Sequence, residues 1–272
     1  EAKLKRQPRE KPLSRRVALI SGGGGGIGKA IADRLVAEGA VVVLTDLVED
    51  RVKEARGTFG RDQAAYHGGD ITNAAAVQAA FDTAALAFGG VDIVVHSAGL
   101  AISKGVVEYE ENEYDLLNNV IAKGQFLLAQ EGVKTMRKQG FGGDIISIAS
   151  KNALFAGPNN VPYGTAKAAQ THMARLLAAE LAGDQIRVNV VNPDAVIVGS
   201  KIWEGEWAEG RAKAYGVAVE DLPKHYAQRN LLKAIILPDD IANAVYAFLV
   251  ELTKSTGNIL NVDGGIAASF TR

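Results

Sequence analysis

Short apolar runs at residues 17–21, 41–45, 91–95, 143–149, 186–192 and 258–262 alternate along the chain with longer stretches of helical periodicity. A continuous apolar run of this length, bounded by turn residues, is the pattern of a strand buried on both faces. Strands that alternate with helices are joined by right-handed crossovers, so the pattern predicts an α/β fold: a Rossmann-type doubly wound parallel sheet between two helical layers. No internal repeat and no second core interrupt the alternation, and residues 17–272 are expected to form one domain. Ligands of such sheets bind beyond the carboxyl ends of the strands, where strand order reverses.

The first run, Val17 to Ser21, leads into Gly22, Gly23, Gly24, Gly25, Gly26, Ile27 and Gly28, and the stretch from Lys29 to Glu38 then has helical periodicity. Strand, glycine turn and helix is the context in which a glycine pattern implies a dinucleotide site. Gly22 permits the tight turn, Gly26 lets backbone approach a pyrophosphate, and Gly28 allows close helix packing, while the helix N-terminus offers free N–H groups. A glycine-rich linker is the bland alternative, but linkers are not normally bracketed so tightly by a strand and a helix.

Tyr163 and Lys167 are four residues apart in a predicted helix, and Ser150 closes the apolar run that starts at Asp144. Residues i and i+4 share a helix face, so the Lys167 ammonium can lie beside the Tyr163 phenol and is expected to lower its pKa. Ser150 could then hold a substrate oxygen against that phenol. Taken alone, a Tyr-x-x-x-Lys pair also fits a packed tyrosine beside a solvated lysine.

The spacing of Gly22, Gly26 and Gly28, together with Ser150, Tyr163 and Lys167, resembles the short-chain dehydrogenase/reductase family from about Val17 to Gly265. The resemblance implies that Tyr163 exchanges a proton with the substrate oxygen, that Ser150 orients that oxygen, and that Lys167 also holds a nicotinamide ribose. It places Asp46 and Leu47 at the adenosine ribose, Asp70 and Ile71 at the adenine, and Ser97, Ala98 and Gly99 after the fourth strand. There His96 and Ser97 replace two asparagines. Pro193 and Val196 complete the implied cofactor site with Ile27. Asp46 favours NAD, because a carboxylate repels the 2′-phosphate of NADP. The family's relay asparagine, three residues before a glycine, falls on Ile121 when counted back from Gly124, with Asn118 and Asn119 as nearby substitutes or plain surface residues. Asn152 is a plausible second substrate contact, and Asp194 stands where the family commonly has glycine. Ser150 to Asn152, Asn192 to Val196, Gly199 to Trp207 and the tail from Ser269 are similar to the dehydrogenase half of bifunctional rhamnulose-1-phosphate aldolase/lactaldehyde dehydrogenase proteins.

The remaining composition narrows the chemistry. A net charge near −1 gives no basic surface for nucleic acid or membrane, and no apolar run is long enough to span a bilayer. With no cysteine there is no disulfide and no thiolate nucleophile, so aldehyde oxidation through a thiohemiacetal is excluded; the scattered histidines make a catalytic metal improbable. No signal-peptide pattern opens the chain, and a cytoplasmic protein is expected. Residues 1–16 hold seven Lys or Arg and two prolines and read as a linker, or as the end of a preceding aldolase segment. Residues 194–230 read as a long lid, with Trp203 and Trp207 on one helical face over the pocket. The resemblance implies a homo-oligomer, a tetramer, and the helix after Ala166 fits this in being Ala-rich and apolar on more than one face; packing under the chain's own long fourth helix is the alternative.

Overall fold

The computed structural model describes residues 10–200, 203 and 206–270. Seven parallel strands form one sheet in the order β3-β2-β1-β4-β5-β6-β7. They are β1 (Val17–Ser21), β2 (Val41–Asp46), β3 (Ala64–Gly68), β4 (Ile93–His96), β5 (Gly143–Ile148), β6 (Ile186–Pro193) and β7 (Ile259–Val262). Strand order reverses between β1 and β4, at the ends of Ser21 and His96, which pair in register.

Alternation along the strands divides the core in two. Ile20, Val42, Ile93 and Val95 face α1 (Gly26–Ala37) and α9 (Pro238–Tyr246). Leu19, Val43, Val94 and Ile145 face α3 (Ala74–Phe88), α5 (Gly124–Gln139) and α6 (Val161–Leu181). The helix α3 shows how local chemistry sets the ends: the Asn73 side chain accepts from the amides of Ala75 and Ala76, and Gly89 stops the helix at φ +91°. Between β2 and β3 lies α2 (Glu49–Gly57), and α4 (Glu111–Asn118) runs into α5 through a π-helical turn at Asn119–Lys123.

Two expectations need correction here. The linker foreseen over residues 1–16 does not reach residue 16. Leu13 is buried in the core, and Arg16 forms an ion pair of 2.8 Å with Asp144 at the start of β5. Residues 1–9 lie outside the described residues. Trp203 and Trp207 do not share one helix, because α7 (Glu206–Tyr215) begins after Trp203. The expected lid is not a bare loop: α7 and α8 (Leu222–Ala227) pack through Ala208, Ala212, Leu222 and Tyr226 onto Ala195, Ile197 and Trp203. Residues 201, 202, 204 and 205 of that segment, and the side chain of Trp207, lie outside what is described.

Candidate active site

A cleft of about 850 Å³ opens at the carboxyl edge of the sheet. Its walls bring together Ile27, Ser97, Gly99, Ser150, Asn152, Tyr163, Lys167, Pro193 and Val196, all singled out from sequence. Strand β5 delivers Ser150, and the first two turns of α6 deliver Tyr163 and Lys167. Ser150 hydrogen-bonds the Tyr163 phenol and also accepts from the Asn152 amide at 3.2 Å. The serine is thus fixed from both sides.

The electrostatics differ from expectation. Lys167 does not pull the Tyr163 pKa down. The Tyr163 phenol is pushed above its ordinary value by burial, against the Ser150 hydrogen bond and with the Asp194 charge adding to the rise. The Lys167 ammonium sits 5.9 Å from the Tyr163 ring centre and donates instead to the Ile148 carbonyl at 2.9 Å and to Gln170 Oε1 at 3.0 Å. Burial lowers the pKa of Lys167 to about 7, so near neutrality it is only partly charged.

The glycine turn adjoins the cleft, and Gly22, Gly26, Gly28, Asp46, Leu47, Asp70, Ile71 and Ala98 lie outside its walls. Gly22 has φ +67°, and a Cβ there would come within 2.8 Å of the Ala98 backbone, so glycine is required to seat β1 against the β4 loop. A Cβ at Gly26 would collide with the Gly199 carbonyl, which shows that the chain after β6 crosses over the turn. Asp46 accepts from the Gly24 amide through Oδ2 and from the Val48 amide through Oδ1, both at 3.2 Å. It therefore orders the turn as well as standing at its rim. Leu47 is 72% exposed, whereas the Ile71 side chain is turned into the core against Gly124, leaving only its backbone for a ligand. Asp70 caps its own turn through the Thr72 amide.

These residues fit a nicotinamide dinucleotide. The N-terminus of α1 carries no side-chain cap and follows an all-glycine turn, covered at Gly26 by the Gly199 backbone, and Lys167 lines the adjoining cleft. When bound, such a cofactor supplies hydride chemistry.

Neither candidate relay asparagine reaches the cleft: Asn118 donates to the Tyr114 carbonyl, and Asn119 is exposed. Ile121 is fully buried, and its carbonyl lies 3.3 Å from His96 Nε2. A carbonyl only accepts, so Nε2 carries the proton and Nδ1 accepts from the Ser21 hydroxyl at 2.9 Å. Ser21 Oγ in turn accepts from the amides of Ser97 and Ala98. Burial, then the Lys167 charge, lowers the pKa of His96 to about 3, which keeps it neutral. His96 thus ties the π turn to the β4 loop, a role with no sequence signal beyond a histidine at a strand end. Sequence reasoning also missed Lys151, Arg211 and Arg229 in the cleft wall.

Comparison with known proteins agrees with this geometry. Residues 23–267 match the family described as Enoyl-(Acyl carrier protein) reductase. The uncharacterized oxidoreductase YuxG of Bacillus subtilis is 45% identical over 99% of this chain, which spans about 40% of YuxG. D-threitol dehydrogenase of Mycolicibacterium smegmatis is 36% identical, with 93% of each chain covered. An NAD-dependent glycerol dehydrogenase of Listeria innocua is 30% identical, covering 93% of this chain and 94% of its own. The chain belongs to the short-chain dehydrogenase/reductase family.

Proposed function

We propose that the protein is an NAD-dependent dehydrogenase of a small hydroxy-aldehyde or alcohol, with lactaldehyde from rhamnose breakdown as the leading substrate. The observation that carries the reading is the convergence of Ser150, Tyr163 and Lys167 in one cleft, with Ser150 bonded to the phenol. Ser150 holds the reacting oxygen, and Tyr163 gives or takes its proton according to direction. Lys167 holds the ribose and keeps a mobile proton close to neutral pH. Without cysteine, aldehyde oxidation would proceed from the hydrate, a secondary-alcohol equivalent that Tyr163 can deprotonate. The Asp46 carboxylate supports NAD, in line with the name of the Listeria relative.

The names of the threitol and glycerol relatives favour a second reading, a sugar-alcohol dehydrogenase. A panel of lactaldehyde, propanediol, threitol and glycerol, followed by NADH absorbance in both directions, separates the two. Turnover confined to polyols rejects the lactaldehyde assignment, and no turnover with any of them leaves the family but removes both substrates.

The further parts of the reading are a cytoplasmic homotetramer and an aldolase domain fused to the same protein. Among the described residues, no helix is long and apolar enough to cross a membrane. Ala166 packs within the chain against Leu117 and Ile121, while Val161 and Leu176 remain on the exposed side of α6, where a second copy could cover them. Light scattering tests the tetramer, and a monomeric mass at micromolar concentration rejects it.

A further inference from the structure

The cleft wall carries more positive charge than the proposed chemistry uses. Among its described residues are Lys151, Lys167, Arg211 and Arg229, against a single carboxylate, Asp194. Lys167 is occupied by Ile148 and Gln170, and Arg211 bonds the Tyr215 phenol. Lys151 and Arg229 share Asp194: the ammonium lies 3.5 Å from Oδ1 and the guanidinium 3.1 Å from Oδ2. Each cation also rests on an aromatic face, Lys151 on Phe155 and Arg229 on Tyr226, both at 4.3 Å.

Lys151 is buried beside Asp194 and also feels the buried Asp263, while Arg229 is about a third exposed, so what the pair offers a ligand is its unspent donors rather than a bare excess of charge. Lys151 is 5% exposed and Asp194 7%. At 3.5 Å the Lys151–Asp194 contact is at the far end of hydrogen-bond range, so the ammonium retains donors for a further acceptor. The protein contains a useful contrast at the opposite edge of the sheet, where Arg16 and Arg187 also share one carboxylate, Asp144. There the guanidiniums spend further donors on the carbonyls of Asp92, Phe248 and Leu252, whereas Arg229, as open to solvent as Arg16, and Lys151 hydrogen-bond no carbonyl through their side chains among the described residues. That pair is complete as it stands; the pair in the cleft is not.

We propose that Lys151 and Arg229 form an oxyanion site that holds the carboxylate of a small hydroxy acid, substrate or product, on or next to the carbon whose oxygen Ser150 and Tyr163 hold. This deepens the reading above and rests on the cleft being the substrate site. Lys151, Arg229, Ser150 and Tyr163 all line the one cleft, so the cation pair and the reacting oxygen share a cavity. A neutral polyol has no use for such a pair. Position 194, where the resemblance implies glycine, here carries the carboxylate that positions both cations.

The test is equilibrium binding to the NADH-saturated protein, with lactate and its neutral isostere lactamide as probes and inorganic phosphate as a third. Lactate is expected to bind more tightly than lactamide by about tenfold, the size of one charge-assisted hydrogen bond. Lys151→Met and Arg229→Gln should each erase most of that preference while leaving NADH affinity unchanged. Equal binding of lactate and lactamide overturns the proposal, as does a preference that survives both substitutions. Phosphate that displaces lactate and binds more tightly reassigns the pair to phosphate esters and also overturns it. Loss of NADH binding in the unaltered protein would instead reject the dehydrogenase reading itself, so the two failures are distinguishable.

Discussion

Replacing Lys167 by methionine separates the stability of the site from its chemistry. The side chain is buried, and its pKa falls from 10.5 to about 7 because burial disfavours the charged form. Between those values the unfolded chain holds a proton that the folded chain has released, so stability rises with pH across that window. The slope for one such group is about 1.4 kcal/mol per pH unit. Wild-type stability should therefore rise by about 2–3 kcal/mol between pH 7 and pH 9 relative to Lys167→Met. Below pH 6 both forms are protonated, and the difference between the two proteins should be flat. Methionine also deprives the Ile148 carbonyl and Gln170 Oε1 of their donor, but that loss is independent of pH and displaces the whole curve without changing its slope. Urea unfolding followed by circular dichroism at half-unit pH steps measures the difference. Parallel profiles from pH 7 to pH 9 would refute the lowered pKa, and with it the partly neutral lysine.

Tyr163→Phe should lower kcat by about a hundred- to ten-thousand-fold while NADH affinity stays within about twofold; stopped-flow fluorescence and steady-state absorbance check the two halves. Asp46→Ser should narrow the preference for NAD over NADP, seen by calorimetric titration of both, and an unchanged ratio would remove Asp46 from cofactor choice. His96 holds fewer protons folded than unfolded between about pH 3 and 6.5, so wild-type stability should rise with pH across that range and level off above it. His96→Asn should lose that rise, and urea midpoints at pH 4, 5 and 7 would show it.

Most of the frame was legible because the central strands are buried on both faces and therefore apolar throughout. All five residues of β1 are buried, and its predicted bounds match. Strand β3 was not among the runs read from hydrophobicity: its sequence Ala64 to Gly68 lies at the sheet edge and is mostly half-buried, so selection for apolar residues is weak there. Helix α1 starts at Gly26, three residues before its periodicity becomes visible, because glycine has poor helix propensity but suits a turn that backbone must approach. Ser150, Tyr163 and Lys167 were legible because their spacing is local to one strand end and one helix. Lys151, Asp194 and Arg229 come from three separate segments, and no spacing along the chain announces that they meet. The π turn was hidden for a different reason: it depends on where the Ile121 carbonyl points, and backbone direction leaves no mark on residue type.

The charge pattern also bears on the tyrosine. Burial and the Asp194 carboxylate both hold the Tyr163 phenol protonated, and the Ser150 hydrogen bond only partly opposes them. A protein that must use this phenol as a base needs Asp194 masked. Lys151 and Arg229 mask it in part: each cation on the carboxylate reduces the negative potential that reaches the phenol. The pair then has two consequences from one arrangement. It offers donors to an incoming oxyanion, and it weakens, without removing, the opposition of Asp194 to deprotonation of Tyr163. An anion bound there would draw the cations partly away from Asp194 and itself bring negative charge, raising the phenol again. Proton uptake by Tyr163 would then be favoured once a carboxylate occupies the site, so reduction beginning from a bound acid anion and oxidation ending in one are tuned in opposite senses by the same two side chains.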